Sequence, residues 1–197
     1  MKIYLIRHGE TTGDIEDRYG GDYDDHLTEK GKQQAQDLAQ YLKNKNIEII
    51  YHSPKIRARE TTQIINHYLN LKLQEITDLR ERNAYGILTG LIKSQAKQKY
   101  PEQVAELLRD KLYHKVKNSE DYDSFKKRVT IAFDKITHNQ KYSTIAIVCH
   151  GGPISCIVRE LLNLGEFKKL GDCAVLEIER NSKSYKLIKL TNAELER

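Results

Sequence analysis

The sequence predicts an α/β fold in which a largely parallel sheet is covered by helices on both faces. Short apolar or β-branched runs of strand length alternate with segments whose apolar residues repeat at helical spacing. No internal repeat, low-complexity tract or Pro- or Gly-rich linker interrupts the 197 residues, a length that fits one domain with a substantial core. We therefore expect residues 1–197 to form a single domain.

The elements that support this fold class follow one another along the whole chain. The predicted strands are Lys2 to Ile6, Ile47 to Tyr51, Lys72 to Ile76, Thr144 to Cys149, Cys173 to Glu179 and Tyr185 to Leu190. The first helical face comprises Ala35, Leu38, Ala39 and Leu42, with Thr28 as N-cap; the second, within Asp121 to His138, comprises Phe125, Val129, Ala132, Phe133 and Ile136; the third comprises Ile154, Ile157, Val158, Leu161 and Leu162.

Composition narrows the possible functions. Lys and Arg outnumber Asp and Glu by 33 to 28, a small and dispersed excess that favours an anionic ligand but gives no nucleic-acid platform. Cys149, Cys156 and Cys173 have neither metal-site spacing nor the even count of a disulfide framework, so we expect reduced thiols. The longest strongly apolar run, Ile145 to Cys149, is far shorter than the roughly 20 residues of a membrane span. Because a strand follows Met1 at once, without a signal peptide, we expect a cytoplasmic protein.

Three segments rich in histidine, arginine and glycine each follow a predicted strand directly. They are 7–11 (RHGET), 53–57 (SPKIR) and 148–153 (VCHGGP). Ligands of open α/β sheets bind at the carboxyl ends of the strands. We therefore expect these distant segments to meet at one edge of the sheet.

The first segment places Arg7 and His8 at the end of a strand, followed by Gly9, which allows the backbone to approach a ligand closely. The pentapeptide alone is only moderately specific. In the alternative interpretation, His8 caps the strand and Arg7 pairs with a surface carboxylate.

In the second segment, Ser53 is a suitable N-cap and Pro54 a suitable first helical residue. Arg57 then lies near the end of the first turn, where its guanidinium can grip phosphate oxygens in a bidentate fork. We interpret Lys55 and Arg59 as solvated helix charges.

The third segment leads from a buried strand through His150, Gly151 and Gly152 into Pro153, which again suits a first helical turn. Backbone N–H groups and the positive end of the helix dipole make this an anion site. The alternative is that His150 is a satisfied core residue, which the flanking glycines disfavour.

Two histidines, two arginines and a helix start indicate phosphoryl transfer through a phosphohistidine. His8 is the candidate nucleophile, and the arginines and His150 are placed to hold the phosphoryl oxygens. Glu81 is our candidate proton donor because it follows the third strand and precedes a glycine-containing loop, and because a bound phosphate dianion favours the protonated acid. Alternatively, Glu81 is a surface carboxylate paired with Arg80 or Arg82.

Together these motifs resemble the histidine phosphatase superfamily, the phosphoglycerate-mutase-like proteins, over nearly the whole chain. The matching segments, in order, are 7–11 (RHGET), 27–31 (LTEKG), Arg57-Ala58 with Thr61, Glu81 with Gly86 and Gly90, and 150–152 (HGG). Separated motifs in the right order are far more specific than any one of them. In this resemblance His8 is the residue that becomes phosphorylated.

The resemblance implies a three-layer α/β/α sandwich, a phosphatase or mutase that needs no cofactor and no metal, and a short cap insertion at about residues 90–121. The main site candidates are His8, Glu81 and His150 for catalysis, and Arg7, Arg57 and Gly151 for phosphate binding. Secondary candidates for substrate contacts are Thr11, Asp14, Gly21 and Lys93, with Lys97, Lys99 and Arg109 as further cations of the cap.

Some features depart from the family pattern. Glu81 stands five residues before Gly86, one more than the family spacing, which predicts an insertion that displaces Glu81. Asp14 replaces the asparagine of many mutases and puts negative charge near an anionic ligand. A short cap and Gly151-Gly152, where mutases often have Gly-Asn, also argue against mutase activity.

We therefore favour a metal-independent phosphatase that hydrolyses small phosphate monoesters through a phosphohistidine on His8. The alternatives are a phosphoglycerate mutase with the same nucleophile and a noncatalytic anion-binding regulatory protein on the same fold. The expected partner is a small phosphorylated substrate, not nucleic acid or a membrane, and the protein is expected to be a monomer or a homodimer.

Overall fold

A six-stranded sheet forms the centre of the protein, whose computed structural model describes residues 1–138, 141–182 and 184–196. The strands are β1 (Lys2–Arg7), β2 (Ile49–His52), β3 (Lys72–Glu75), β4 (Thr144–Cys149), β5 (Phe167–Arg180) and β6 (Tyr185–Leu195). Across the sheet they lie in the order β3-β2-β4-β1-β5-β6. The first four are mutually parallel, whereas β5 runs antiparallel to both neighbours. This confirms the predicted mostly parallel sheet.

Seven helices accompany the strands in the described ranges. They are α1 (Thr12–Ile15), α2 (Glu29–Leu42), α3 (Ile56–Leu69), α4 (Lys93–Lys99), α5 (Pro101–Arg109), α6 (Tyr122–Thr137) and α7 (Gly151–Glu160), with 3-10 turns at Thr77–Leu79 and Gly86–Leu88. The predicted N-cap of α2 is confirmed, because Thr28 Oγ1 accepts a hydrogen bond from Gly31 N at 2.9 Å. Asp121 caps α6 in the same way through Ser124 N at 2.8 Å.

Alternation along the strands creates two apolar cores, one on each face of the sheet. On β1, Ile3 and Leu5 belong to the core that α6 and α7 cover, whereas Tyr4 and Ile6 belong to the core under α2 and α3. The structure is therefore the expected three-layer sandwich. The predicted apolar faces of α2 and α6 are buried, and so are Ile154, Ile157 and Val158 of α7, whereas Leu161 and Leu162 follow the end of that helix.

The start of α3 differs from the prediction. The helix begins at Ile56 with Lys55 at the N-cap, and Ser53 lies before it. The Ile56 N–H is accepted by Asp24 Oδ1 at 3.0 Å, so a distant loop replaces the local cap. Ser53 is consequently available for a different contact, described below.

Strand β5 begins at Phe167, earlier than the predicted Cys173. The pairing of β5 with β6 is shifted between Leu170 and Val175, and Cys173 within this irregular stretch has φ of +52°. A bulge of this kind interrupts the alternation by which strands are recognised. It explains why the first half of β5 was absent from the sequence prediction.

The segment predicted as a cap contains α4 and α5 and packs through a third apolar cluster. Its buried members are Tyr19, Leu88, Ala96, Val104, Leu107 and Val116. Tyr19 comes from the loop after α1 and Leu88 from the second 3-10 turn. The buried side chains of this cluster thus fix the segment to the loops around the site, and Leu112 adds a contact with the core that α6 and α7 cover.

The state of the cysteines and the length of the helices can be compared with the composition. Cys149, Cys156 and Cys173 are all unbonded thiols, as predicted. Throughout the described ranges, no helix combines the length and the apolar character that crossing a bilayer requires.

Candidate active site

The three motif segments meet as predicted, because β1, β2 and β4 are parallel neighbours that end at the same edge of the sheet. A cavity of about 440 Å³ opens there. Of the candidates above, its lining includes Arg7, His8, Thr11, Asp14, Gly21, Arg57, Glu81, Lys93 and Gly151. His150 is fully buried beside it, with its ring centroid 5.2 Å from that of His8.

His8 is held in one tautomer by its own loop. Its Nδ1 lies 2.8 Å from Gly9 O. A carbonyl oxygen only accepts, so Nδ1 carries the proton and Nε2 presents a lone pair. Burial, followed by the charges of Arg57 and Arg7, holds the pKa of His8 well below its ordinary value. The ring is therefore a neutral imidazole whose Nε2 carries the lone pair that a nucleophile needs.

Gly9 allows a close approach, but to the start of α2 rather than to a ligand. A Cβ atom at Gly9 would lie 2.6 Å from Gly31 O. The Gly9 N–H donates to Thr61 Oγ1 of α3 at 3.1 Å. The segment after His8 is thus fixed against two helices.

Arg57, the second residue of α3, places its guanidinium against the nucleophile. Its Nε donates to His8 Nε2 at 3.2 Å. Its Nη1 donates to Tyr23 O at 2.7 Å and to Asp25 Oδ1 at 2.9 Å, and its Nη2 donates to Gly21 O at 2.9 Å. The loop formed by residues 21–25 therefore orients the guanidinium group of Arg57. Sequence reasoning missed Asp25, one of several acidic residues in that loop.

Arg7 is anchored by the irregular stretch of β5. Its Nη1 donates to Leu170 O at 2.6 Å, and its Nη2 lies 3.5 Å from Asp172 Oδ1. Its Nε is buried and has no hydrogen-bond partner among the described residues. An unpaired buried donor beside His8 is suited to a phosphoryl oxygen.

His150 is the N-cap residue of α7 and contacts the hydroxyl of Ser53, with 2.7 Å between Nε2 and Oγ. Its Nδ1 is buried without a partner in the described part of the chain. Burial, followed by the charge of Arg57, holds the pKa of His150 well below its ordinary value. The alternative of a satisfied core histidine does not describe this ring, because one of its nitrogens is unpaired.

Glu81 lies in the cavity wall next to the third motif despite the extra residue before Gly86. Its Oε2 accepts from Gly152 N at 3.0 Å, and its Oε1 accepts from Arg82 N at 2.7 Å. The arginines on either side are engaged elsewhere, Arg80 with aspartates and Arg82 with backbone carbonyls. The alternative of a surface ion pair with a neighbouring arginine is therefore wrong.

A second residue that the sequence prediction missed, Arg128 of α6, holds the Glu81 loop. Arg128 donates from Nη1 to Asp78 O at 2.7 Å and to Arg80 O at 2.9 Å, and from Nη2 to Glu81 O at 3.0 Å. It also forms a bidentate pair with Glu120, at 2.7 and 2.8 Å. All five guanidinium N–H groups are thus used, and the loop is fixed to α6. No local motif identifies Arg128, which in the sequence is one of several charged residues of the predicted helix.

Thr11 and Asp14 contact each other as a capping box at α1. The Asp14 Oδ2 accepts from Thr11 N at 2.9 Å and from Thr11 Oγ1 at 2.8 Å. The carboxylate that replaces the mutase asparagine therefore has a local structural partner as well as a place in the cavity wall.

The remaining cations differ in their surroundings. Lys93 lines the cavity and pairs with Asp17, whereas Lys97, Lys99 and Arg109 are not among the residues described as lining it. The interpretation of Lys55 as a solvated charge is wrong, because it forms an ion pair with Asp22 at 2.8 Å and is mostly covered. Arg59 is exposed as expected.

Within the described ranges, no three His, Cys, Asp or Glu side chains are grouped to hold a metal ion.

Comparison with known proteins assigns the family. Residues 3–193 match the model of the histidine phosphatase superfamily (branch 1). The chain is 30% identical to the uncharacterized phosphatase PhoE of Bacillus subtilis over 81% of its length and 76% of that protein. It is 35% identical to phosphoglycerate mutase-like protein 4 of Arabidopsis thaliana, over 78% and 67% of the two chains.

The fold is shared as well. The crystal structure of a putative α-ribazole-5'-P phosphatase from Escherichia coli superposes with a TM-score of 0.88 at 25% identity, covering 100% of this chain and 98% of that one. Named relatives thus include phosphatases and a mutase-like protein. The chain therefore belongs to the histidine phosphatase superfamily, and is a phosphatase or mutase of that superfamily.

Proposed function

We propose that the protein hydrolyses small phosphate monoesters by a two-step transfer through His8. In the first step His8 Nε2 attacks phosphorus, the bond from phosphorus to the ester oxygen breaks, and that oxygen takes the proton of the Glu81 carboxyl group. The products are an alcohol and a phosphohistidine. The Nδ1 proton, held by Gly9 O, remains on the ring throughout.

In the second step water attacks the phosphohistidine. Glu81, now a carboxylate, takes a proton from the water, and the electrons of the phosphorus–nitrogen bond return to His8 Nε2. Inorganic phosphate leaves and the enzyme regains its initial state. Arg7, Arg57 and His150 hold the phosphoryl oxygens in both steps, where charge is spread over them.

One observation carries this proposal: a neutral histidine, with Nδ1 fixed by Gly9 O, directs Nε2 at the Arg57 guanidinium in the cavity. Arg57 Nε occupies that lone pair in this structure. Binding of a phosphate ester would transfer the Arg57 donors to its oxygens and free the nucleophile. The same arginine thus supports both substrate binding and attack.

The test is turnover of a panel of phosphate monoesters in the presence of EDTA, including both phosphoglycerates, phosphoserine and sugar phosphates. His8→Ala is the inactive variant, and His67→Ala, which removes an exposed histidine near the end of α3, is the matched control. We expect phosphate release and a phosphoenzyme with the unmodified protein and the control, and neither with His8→Ala. Phosphoglycerate interconversion without phosphate release would favour the mutase. Substantial turnover by His8→Ala would remove His8 from its role.

A further inference from the structure

Ser53 and His150 form a buried pair beside His8, which lines the cavity. Both residues have no exposed surface, and their Oγ and Nε2 atoms are 2.7 Å apart. Ser53 follows β2 and His150 follows β4, so the pair joins two neighbouring strand ends. Ser53 is not the N-cap residue of α3, which is Lys55.

The position of the proton between these atoms follows from their other contacts. Among the residues that the structure describes, Ser53 Oγ makes one further hydrogen bond, in which it accepts from Lys55 N at 3.3 Å. The hydroxyl hydrogen therefore has His150 Nε2 as its available acceptor. If Nε2 were protonated instead, the hydroxyl hydrogen of Ser53 would be buried without an acceptor.

The ring itself is neutral, since the pKa of His150 lies well below its ordinary value because of burial and the nearby charge of Arg57. A neutral imidazole has one N–H group. With Nε2 accepting from Ser53, that group is at Nδ1. This is the nitrogen that lacks a partner in the described part of the chain.

We propose that Ser53 is a positioning residue that fixes the Nδ1–H tautomer of His150, so that His150 donates a hydrogen bond to a phosphoryl oxygen of the substrate. This inference rests on the proposed function for the identity of the acceptor. It goes beyond it by assigning the serine and the tautomer.

The two histidines are then set to opposite tasks by different partners. His8 Nδ1 donates to a carbonyl, which leaves a lone pair at Nε2 for attack. His150 Nε2 accepts from a hydroxyl, which leaves an N–H at Nδ1 for the oxyanion. Without Ser53, nothing in the described contacts of His150 selects between its two tautomers.

The direct test is long-range proton–nitrogen NMR of the protein labelled with 15N-histidine, which distinguishes a protonated ring nitrogen from an unprotonated one. His150→Gln identifies the signals of His150 by their loss. In the unmodified protein we expect a protonated Nδ1 and an unprotonated Nε2. A protonated Nε2 would overturn the proposal, and this result needs no variant of Ser53 to fold.

The second test is Ser53→Ala, in which the His150 signals should change to the Nε2–H form or a mixture of the two forms. Loss of one oxyanion donor costs about 10²–10³ in kcat. Because Ser53→Ala only depopulates that donor, we expect kcat to fall about tenfold or more, with KM for the same ester changing less. Ser53→Thr, which keeps the hydroxyl, should recover most of kcat.

Thr62→Val is the matched control, since Thr62 is an equally buried residue whose hydroxyl donates within α3, to Ala58 O at 2.8 Å. It should leave kcat and the His150 signals unchanged. An unchanged tautomer in folded Ser53→Ala would refute the positioning role. Failure of the proposed function would appear differently, as absence of turnover in the unmodified protein with the tautomer as expected.

Discussion

Gly152 lies directly against the carboxyl group of Glu81. Its N–H donates to Glu81 Oε2 at 3.0 Å, and a Cβ atom at this position would overlap Glu81 Oε1. Gly152 therefore has a function beyond its place in the first turn of α7. It makes room for the proposed proton donor and orients it at the same time.

Gly152→Ala should consequently displace the Glu81 side chain. We expect it to slow turnover of alkyl phosphates, whose poor leaving groups need a proton, by about 10²–10⁴, and to spare activated aryl phosphates. Glu81→Gln should show the same selective loss when the two ester classes are assayed side by side. Equal losses on both classes would argue against a proton-donor role for Glu81.

Arg57→Lys keeps the charge but not the planar fork that reaches His8, Asp25 and Gly21 O together. We expect kcat/KM to fall by about 10² or more, since a point charge cannot replace bidentate contact with phosphate. Arg59→Lys, at an exposed position of the same helix, is the control and should be neutral. Full tolerance of lysine at residue 57 would make Arg57 a structural charge only.

Arg128→Lys should loosen the Glu81 loop from α6. A lysine cannot serve three carbonyl groups and the Glu120 carboxylate simultaneously, so we expect a loss of about 1–3 kcal/mol in the free energy of unfolding. The residual activity should show the leaving-group selectivity of Glu81→Gln. Urea unfolding and the two-class assay measure both effects, with exposed Lys127→Ala as control. A stability loss without that selectivity would limit Arg128 to a structural role.

Stability should fall in mild acid mainly because of His8 and His150, and to a smaller extent because of His114, a further buried histidine whose pKa burial lowers. The pKa values of His8 and His150 are lowered in the folded protein, whereas in the unfolded chain they return to about 6.5. Below that pH the unfolded chain binds more protons, so the free energy of unfolding decreases as pH falls, by up to about 1.4 kcal/mol per pH unit for each histidine.

Urea unfolding between about pH 7 and pH 5 measures this slope. The double variant His8→Asn, His150→Asn should lose most of it, whereas His67→Ala should keep it. Equal slopes in the unmodified protein, the double variant and His67→Ala would show that other titrating groups, not His8 and His150, control stability in acid.

The sequence was sufficient for the sheet, the layers and the convergence of three motifs, because these depend on local periodicity and on the rule for strand ends. It did not predict contacts that join distant segments. Asp24 caps α3 in place of Ser53, and Asp25 orients Arg57, although neither spacing nor propensity links those residues to the helix.

Arg128 and Ser53 illustrate the same limit within the site. A helix arginine and a serine after a strand are common, and their roles arise only when α6 meets the Glu81 loop and β2 meets β4. Whether the extra residue before Gly86 displaces Glu81 likewise depends on tertiary contacts, which the sequence pattern does not contain. Arg128 and Gly152 hold the loop so that its carboxyl group still reaches the site.

The central place of β1 determines when the protein can become active during synthesis. Its neighbours are β4 and β5, so the strand that leads to His8 is synthesised long before its partners, residues 144–149 and 175–179. Such distant pairing makes folding slow compared with local contacts. A nascent chain that ends before β4 has neither the partner strand of His8 nor His150. Catalytic competence therefore arises only after residues 144–179 have been made.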